Sequence, residues 1–333
     1  MYDMKTIEVA IVGLGKMGLL HACILNSMPN VEIVALCDKS FVLRKLVKKL
    51  FKSANVIDDV MKLADLDVNS VYVTTPIPGH YPIIKSLFSK NVAKNIFVEK
   101  TLASNWTESL KLCELARGST GVNMVGYMKR FAVTFLKAKE LILENMLGDL
   151  ISFEAFAYSS DFSKVKSGSA KGYQRGGVLS DLGSHVIDLA LWLIGDFRVK
   201  SVFTDLIADE GTENSVDFKV ENKDLEGTIH TSWCMENYRM PNFGLSIRGN
   251  GGTLEVNDYC LDMKLKNGNC YKWLKHDLND HVDFLLGESE YYREDEKFVN
   301  SVLNCDKVEP SFATASKVDD VIDQVKKEAK NYA

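Results

Sequence analysis

The sequence predicts an α/β protein in two parts. Residues 1–125 read as a doubly wound parallel sheet, and residues 126–333 as an α+β domain built on an open, largely antiparallel sheet. Three observations carry this. Short β-branched runs alternate with helical patterns through the first part, a glycine-rich turn follows the first run directly, and strand-like runs gather together in the second part. A chain of 333 residues is also too long for one ordinary core and comfortable for two.

In the first part, Ile7–Val12 is an apolar, β-branched run of the kind buried on both faces of a sheet. Val31–Cys37, Ser70–Thr75 and Ile96–Val98 follow as further strands. Between them, Phe41–Phe51 puts Val42, Leu46, Val47, Leu50 and Phe51 on one helical face and Arg44, Lys45, Lys48 and Lys49 largely on the other. After Gly126 the pattern changes. A helix near Val133–Asn145 leads to a strand over Leu150–Tyr158, and a Gly/Ser/Lys loop runs from Ser163 to Gly177. One helix and several strands from Val199 to Tyr271 come next. Helical patterns return near Glu288–Leu303, and Val318, Val321, Ile322 and Val325 form the apolar stripe of a closing helix.

Hydrophobic residues make up 46% and charged residues 26%, the balance of a globular protein. A net charge of −5 argues against a general attraction for nucleic acid or anionic lipid. The N-terminal residues carry no signal-peptide pattern, and no apolar run approaches the ~20 residues of a membrane span. Seven cysteines without a CxxC pair read as reduced thiols, and scattered Cys with six His gives no zinc-like cluster. The expectation is a cytoplasmic protein without a structural metal.

Gly13-Leu14-Gly15-Lys16-Met17-Gly18 fits GxGxxG between a strand and a helix, the fingerprint of a Rossmann dinucleotide site. The first glycine makes the tight turn, the second lets backbone approach a pyrophosphate, and the third lets helix and strand pack closely. Asp38 ends the second strand, 20 residues beyond Gly18, where a carboxylate accepts ribose hydroxyls and repels a 2′-phosphate. NAD is therefore expected. Lys39, Ser40 and Arg44 follow at once and keep NADP open through possible phosphate contacts.

Further marks come in order: Thr74-Thr75-Pro76 with His80, Glu99-Lys100, Gly126-Tyr127 with Arg130, and the run Gly176–Asp188, GGVLSDLGSHVID. This succession resembles the family of glucose–fructose oxidoreductase, inositol dehydrogenase and the MocA rhizopine-catabolism protein, over nearly the whole chain. The resemblance implies a Rossmann domain, a second α/β domain often used in oligomerisation, and NAD(P)-linked hydride transfer at a sugar or related carbon. It further implies a homodimer or homotetramer. By its motifs Lys100 matches the lysine of E-K-P, Asp181 and His185 match D-x-x-x-H, and Thr75, Pro76, His80 and Glu99 match positions near the nicotinamide ribose. Tyr127 and Arg130 face the substrate cleft by the same resemblance, although Arg130 could instead pair near a helix start. Thr101 stands where the family usually has proline, and a non-proline cis bond costs about 3–4 kcal/mol, so the backbone that aims Lys100 is where the resemblance is weakest. Arg175 also stands where members often carry glycine.

The residues support the same chemistry independently. Asp181 and His185 are four apart and share a face of a helix that carries little other charge, so they are expected to be largely buried and paired or functional. Oxidising an alcohol needs a base near neutral pKa for the hydroxyl proton, a role histidine fits, with a carboxylate to orient it. Lys100, at the carboxyl end of a parallel strand, can hydrogen-bond the reacting oxygen. An exchange of roles between His185 and Lys100 stays open. Tyr158, Tyr173, Gln174 and Arg175 lie in or beside the segment expected to set substrate choice. His21 reads as packing; His230, His276 and His281 show no partner spacing; Met124, Trp192 and Trp233 read as core. The resulting function is an NAD(P)-dependent dehydrogenase or reductase acting on a sugar, cyclitol or nucleotide-sugar. A glycosidase using transient oxidation by bound NAD and a non-catalytic NAD-binding regulator are the alternatives.

Overall fold

A computed structural model of the protein describes residues 6–161, 176–203, 213–284 and 287–331. The chain divides into two compact units, residues 1–128 with 282–319, and residues 129–281 with 320–333. The expected boundary at 125/126 lies within three residues of the first division. The second unit is not one continuous run, however, because residues 282–319 return to the first.

The first unit is built on six strands: β1 (Ile7–Val12), β2 (Val31–Cys37), β3 (Asn55–Ile57), β4 (Ser70–Val73), β5 (Asn95–Glu99) and β6 (Asn123–Gly126). They run parallel in the order β3-β2-β1-β4-β5-β6. The reversal of order beside β1 is the topological switch point at which such sheets take ligands. Residues 9–11 of β1 and 71–73 of β4 are fully buried, as the unbroken apolar runs require. The helices are α1 (Lys16–Ser27), α2 (Phe41–Leu50), α3 (His80–Ser89) and α4 (Trp106–Arg117), joined later in the chain by α7 (Ser289–Asn304). Capping explains two starts: the Ser40 side chain accepts Leu43 N–H, and Asn105 accepts Glu108 N–H at 3.0 Å, each worth about 1 kcal/mol.

Three of these elements differ from expectation. β3 and β6 are three and four residues long, too short to register as strands. The apolar face of α2 is a correction: only Val47 is buried, while Val42 is 74% and Leu50 62% exposed. The helix follows β2 and precedes the short edge strand β3, so the sheet offers little surface for a second apolar row.

The second unit carries α5 (Val133–Leu143), α6 (Ser184–Ile194) and an eight-stranded sheet. Its strands are β7 (Leu150–Tyr158), β8 (Arg198–Val202), β9 (Ser215–Glu221), β10 (Glu226–Ser232), β11 (Asn242–Gly249), β12 (Gly252–Asn257), β13 (Cys260–Leu265) and β14 (Cys270–Leu274). The order is β14-β13-β12-β11-β7-β10-β9-β8, antiparallel throughout except for β7 with β10. Leu150–Tyr158 is a strand over the predicted residues, and Phe153, Ala155 and Ala157 alternate into the core with the period of two. His230, expected to be ordinary, pairs across the ladder with Asp217 at 2.9 Å in a partly exposed site. The closing helix α8 (Phe312–Asn331) buries Val318, Val321, Ile322 and Val325 as predicted, and is divided between the units at 319/320. No helix among the described residues is long and apolar enough to cross a membrane.

Candidate active site

The glycine loop has the geometry its sequence calls for. Gly13 sits at φ +99°, and a Cβ there would lie 2.7 Å from Thr75 N. At Gly18 a Cβ would lie 1.9 Å from the Gly13 carbonyl oxygen, so α1 and β1 approach too closely for any side chain. Gly15 is different: it caps α1, and a Cβ would meet nothing within 4 Å. Thus two glycines are needed by the protein itself, and the third leaves open space over the amino end of a helix. That space is where backbone N–H groups and the helix dipole favour an anion. Lys16 is exposed and Met17 half-buried beside it, while Leu14 is buried.

Asp38 is fixed at the end of β2. One carboxylate oxygen accepts Leu14 N–H at 2.7 Å and the other accepts Ser40 N–H at 2.7 Å. A carboxylate has about four acceptor sites, so capacity for ribose hydroxyls remains. Arg44 donates Nη1–H to the Asp38 and Lys39 carbonyls at 2.7 and 2.8 Å, and Ser40 caps α2. Two of the three groups that kept a 2′-phosphate open are therefore engaged in local structure; Lys39 is exposed. These residues fit a dinucleotide with an unmodified adenosine ribose.

After β4, Thr74 Oγ1 donates to the Gly13 carbonyl at 2.6 Å, which locks the turn. Thr75 Oγ1 is buried without a hydrogen-bond partner among the described residues, and Pro76 is exposed beside it. His80 is wholly buried, with Nδ1 2.8 Å from the Thr101 carbonyl and Nε2 2.8 Å from the Thr75 carbonyl, so it sits between the loop after β4 and the one after β5. Burial pushes its pKa down, and the two carbonyls, which favour the protonated ring, offset part of that.

Glu99 ends β5 and Lys100 follows it, both half-buried. Because β1, β4 and β5 are parallel and sit side by side, Lys100 lies on the same edge of the sheet as the glycine loop, two strands over, or about 10 Å. The Lys100–Thr101 peptide bond is cis, the isomer that a proline at 101 would have made cheap. Glu99 takes part in a network that the sequence did not suggest. Its Oε1 is 3.0 Å from His21 Nε2, and His21 Nδ1 is 2.8 Å from Asp295 on α7. His21 and Asp295 are wholly buried.

In the second unit, Asp181 lies in a π-helical turn, Leu179–Gly183, and His185 is the second residue of α6. The regular α-helix expected through both residues thus starts only at Ser184, and the π turn brings the chain into it. Glu213 shapes this turn. Its carbonyl accepts Val178 N–H at 3.0 Å and its carboxylate accepts Leu179 N–H at 3.1 Å, and burial raises its pKa. Asp181 is half-buried, whereas His185 is 5% exposed with its ring edge against Phe243 at 5.4 Å. Lys129 Nζ lies over the same Phe243 ring and pairs with Asp258 at 2.7 Å.

Arg130 takes the second of its two expected roles. It is 4% exposed and forms a bidentate pair with Asp188, through Nε at 2.7 Å and Nη2 at 2.5 Å. Its guanidinium thus holds α6 to the chain before α5 rather than standing open to a ligand. Tyr127 is wholly buried, as are Met124 and Trp233. Tyr158 stacks on Phe156 and meets Tyr238 edge-on, and burial raises its hydroxyl pKa. Tyr173, Gln174 and Arg175 lie outside the described residues.

Of the residues missed in the sequence, His21 carried a usable signal. It is three positions after Gly18, on the face of α1 that must meet the sheet, where an ionisable group needs a partner. Asp295, Asp258 and Glu213 carried none, since their partners are far away in the chain.

A switch-point sheet, a glycine cradle with one open position and a ribose-directed acid define a dinucleotide-binding α/β protein. Comparison with known proteins makes this specific. Residues 7–127 match the model "Oxidoreductase family, NAD-binding Rossmann fold" and residues 135–255 match the "GFO/IDH/MocA C-terminal domain". The chain belongs to this oxidoreductase family. Among its relatives, D-glucoside 3-dehydrogenase of Escherichia coli (strain K12) is 24% identical over 63% of this chain and 60% of that one. Inositol 2-dehydrogenase of Rhizobium meliloti (strain 1021) is 22% identical over 92% of each. The chain spans 53–60% of the length of the first relatives it matches. The fold is that of levoglucosan dehydrogenase in complex with NADH, with a TM-score of 0.89 at 19% identity over 99% of this chain and 98% of that one.

Proposed function

We propose that this protein is a dehydrogenase or reductase that moves a hydride between NAD(H) and a CH–OH carbon of a sugar, cyclitol or nucleotide-sugar. The observation that carries the reading is the placement of Lys100 on the sheet edge that also holds the open glycine cradle and Asp38. The names of the relatives, which include glucoside, inositol and levoglucosan dehydrogenases, support a polyhydroxylated ring as substrate. When bound, the nicotinamide supplies the hydride acceptor or donor. Asp38 selects NAD over NADP, because its charge opposes a 2′-phosphate and Arg44 and Ser40 are engaged elsewhere.

Lys100 donates a hydrogen bond to the substrate oxygen and stabilises negative charge as the hydroxyl proton leaves. His185 accepts that proton, and Asp181 favours the charged imidazole. The nearly complete burial of His185 keeps bulk water from competing for the proton. We also propose a homodimer or homotetramer. The edge strand β14 stays exposed, with Tyr271 stacked on Trp273, and sheet surfaces of this kind are commonly covered by a second copy. A monomer mass in light scattering would refute the assembly.

The test is a panel of inositols, levoglucosan and methyl glucosides with NAD+, read by formation of reduced nicotinamide. On the substrate found, His185→Ala is expected to lower turnover by about 10²–10⁴-fold with NADH affinity retained. A loss below tenfold would remove His185 from proton transfer. Cleavage of a glycoside with no net reduced nicotinamide would replace the dehydrogenase by an NAD-retaining glycosidase.

A further inference from the structure

The trio of half-buried Glu99 with wholly buried His21 and Asp295 asks for an explanation beyond stability. His21 is 0% exposed and closed in by Tyr72, Phe97 and Tyr291, with ring centroids at 5.6, 5.1 and 6.4 Å. Its two nitrogens meet Glu99 at 3.0 Å and Asp295 at 2.8 Å. Each bridge holds one proton. Whether the ring is charged between two carboxylates, or neutral beside a protonated Asp295, the trio carries a net charge of −1. Taking such groups out of water is costly, and apolar residues of similar volume commonly stabilise a core as well or better. What the trio supplies is a fixed place for one carboxylate. Glu99 Oε2 accepts the Lys100 backbone N–H at 3.1 Å, while His80 meets the Thr101 carbonyl at 2.8 Å from the other side. The backbone on both sides of Lys100 is therefore tied to a buried imidazole.

We propose that His21 and Asp295 are positioning residues for Lys100. They act through the Glu99 carboxylate, so α7 and the helix that starts at the glycine loop set the direction of this lysine. The proposal rests on the reading of Lys100 as the cation that meets the substrate oxygen. Its physical content is a chain of single contacts: Asp295 orients the imidazole, the imidazole orients Glu99, and Glu99 holds the Lys100 amide. Because α1 begins at Gly15 and carries His21, the same contacts link the dinucleotide loop to Lys100.

Competitive labelling with trace acetic anhydride, read by peptide mass spectrometry on the full chain, reports the reactivity of each lysine without needing a substrate. Lys62 and Lys272, with side chains 57% and 59% exposed, serve as internal references. His21→Gln and the isosteric Asp295→Asn are expected to change the Lys100 rate by about threefold or more, with both references at wild-type rates and NADH still bound. Glu99→Gln should give the same change, and adding His21→Gln to it should change little further. An unaltered Lys100 rate in folded Asp295→Asn would overturn the proposal. So would a joint rise at all lysines, which marks loosening of the unit rather than positioning. Failure of the underlying reading looks different: Lys100→Met would retain turnover on the substrate panel, while the labelling response of Lys100 to Asp295→Asn would persist.

Discussion

Replacing Gly15 by alanine should leave stability almost unchanged and weaken NADH binding by at least tenfold. The backbone at Gly15, φ −67° and ψ −166°, is open to alanine, and the new Cβ meets no protein atom within 4 Å. Two small stability effects oppose each other. Alanine is a poorer N-cap than glycine by up to about 1 kcal/mol, and a stiffer unfolded chain returns about 0.4–1 kcal/mol. The net change in unfolding free energy is therefore within about 1 kcal/mol. The methyl group stands where backbone would approach a pyrophosphate. Loss of one hydrogen bond to a charged group, about 1.5–3 kcal/mol, corresponds to about 10–150-fold in Kd. Gly18→Ala is the contrasting case. Its Cβ would lie 1.9 Å from the Gly13 carbonyl, which Thr74 Oγ1 and the Gly13 N–H bond to the Cys37 carbonyl hold in place. That overlap should cost at least about 1–3 kcal/mol. Fluorescence titration with NADH and thermal unfolding of both variants provide the assay. Wild-type NADH affinity in Gly15→Ala would show that the dinucleotide does not cross this position. An unchanged midpoint in Gly18→Ala would refute the close approach of α1 to β1.

Other consequences follow from the same geometry. Asp188→Asn removes the carboxylate charge from its buried bidentate pair with Arg130 and should cost about 3–5 kcal/mol, seen as a lower urea midpoint. Asp38→Asn should raise the ratio of NADPH to NADH affinity by about tenfold, because it removes a charge repulsion of about 1–4 kcal/mol while keeping an acceptor; calorimetric titration measures it. Stability should fall at both ends of a neutral pH range, as followed by urea unfolding. The His21 pKa is raised well above 6.5: burial alone would lower it, but Asp295 and then Glu99 outweigh that, so its stabilisation is complete below 6.5 and is lost as pH rises through the folded value. The His80 pKa is lowered by burial, so stability is lost as pH falls below 6.5 toward its folded value. His21→Gln should flatten the alkaline limb alone.

Local patterns announced much of this protein. Continuous β-branched runs are typical of strands in a parallel sheet covered on both faces, so β1 and β2 were legible to the residue, and so was the alternating strand β7. The glycine loop was legible because its steric demands are local: a positive φ, a close approach and an open cap fall within six residues. Asp38 and Lys100 were legible because the end of a parallel strand is itself a place in the fold. Periodicity misled at α2, where it reports that a helix has an apolar face but not whether a neighbour covers it. It gave no sign of the π turn that holds Asp181, because that turn is tied to Glu213, whose contacts reach across 34 residues.

The roles of the charged residues belong to folding at a distance. The sequence marks Arg130 and His80 as candidates to meet a ligand. Packing pairs the first with Asp188 and sets the second between two backbone carbonyls, because a buried polar group needs a partner. His21 reads as a packing residue until α7, arriving 274 positions later, brings Asp295 to its ring. An element's type follows from interactions within a few residues and is written in their order. A polar side chain's partner is fixed by which elements the chain brings together, and nothing in the spacing of the residues records that.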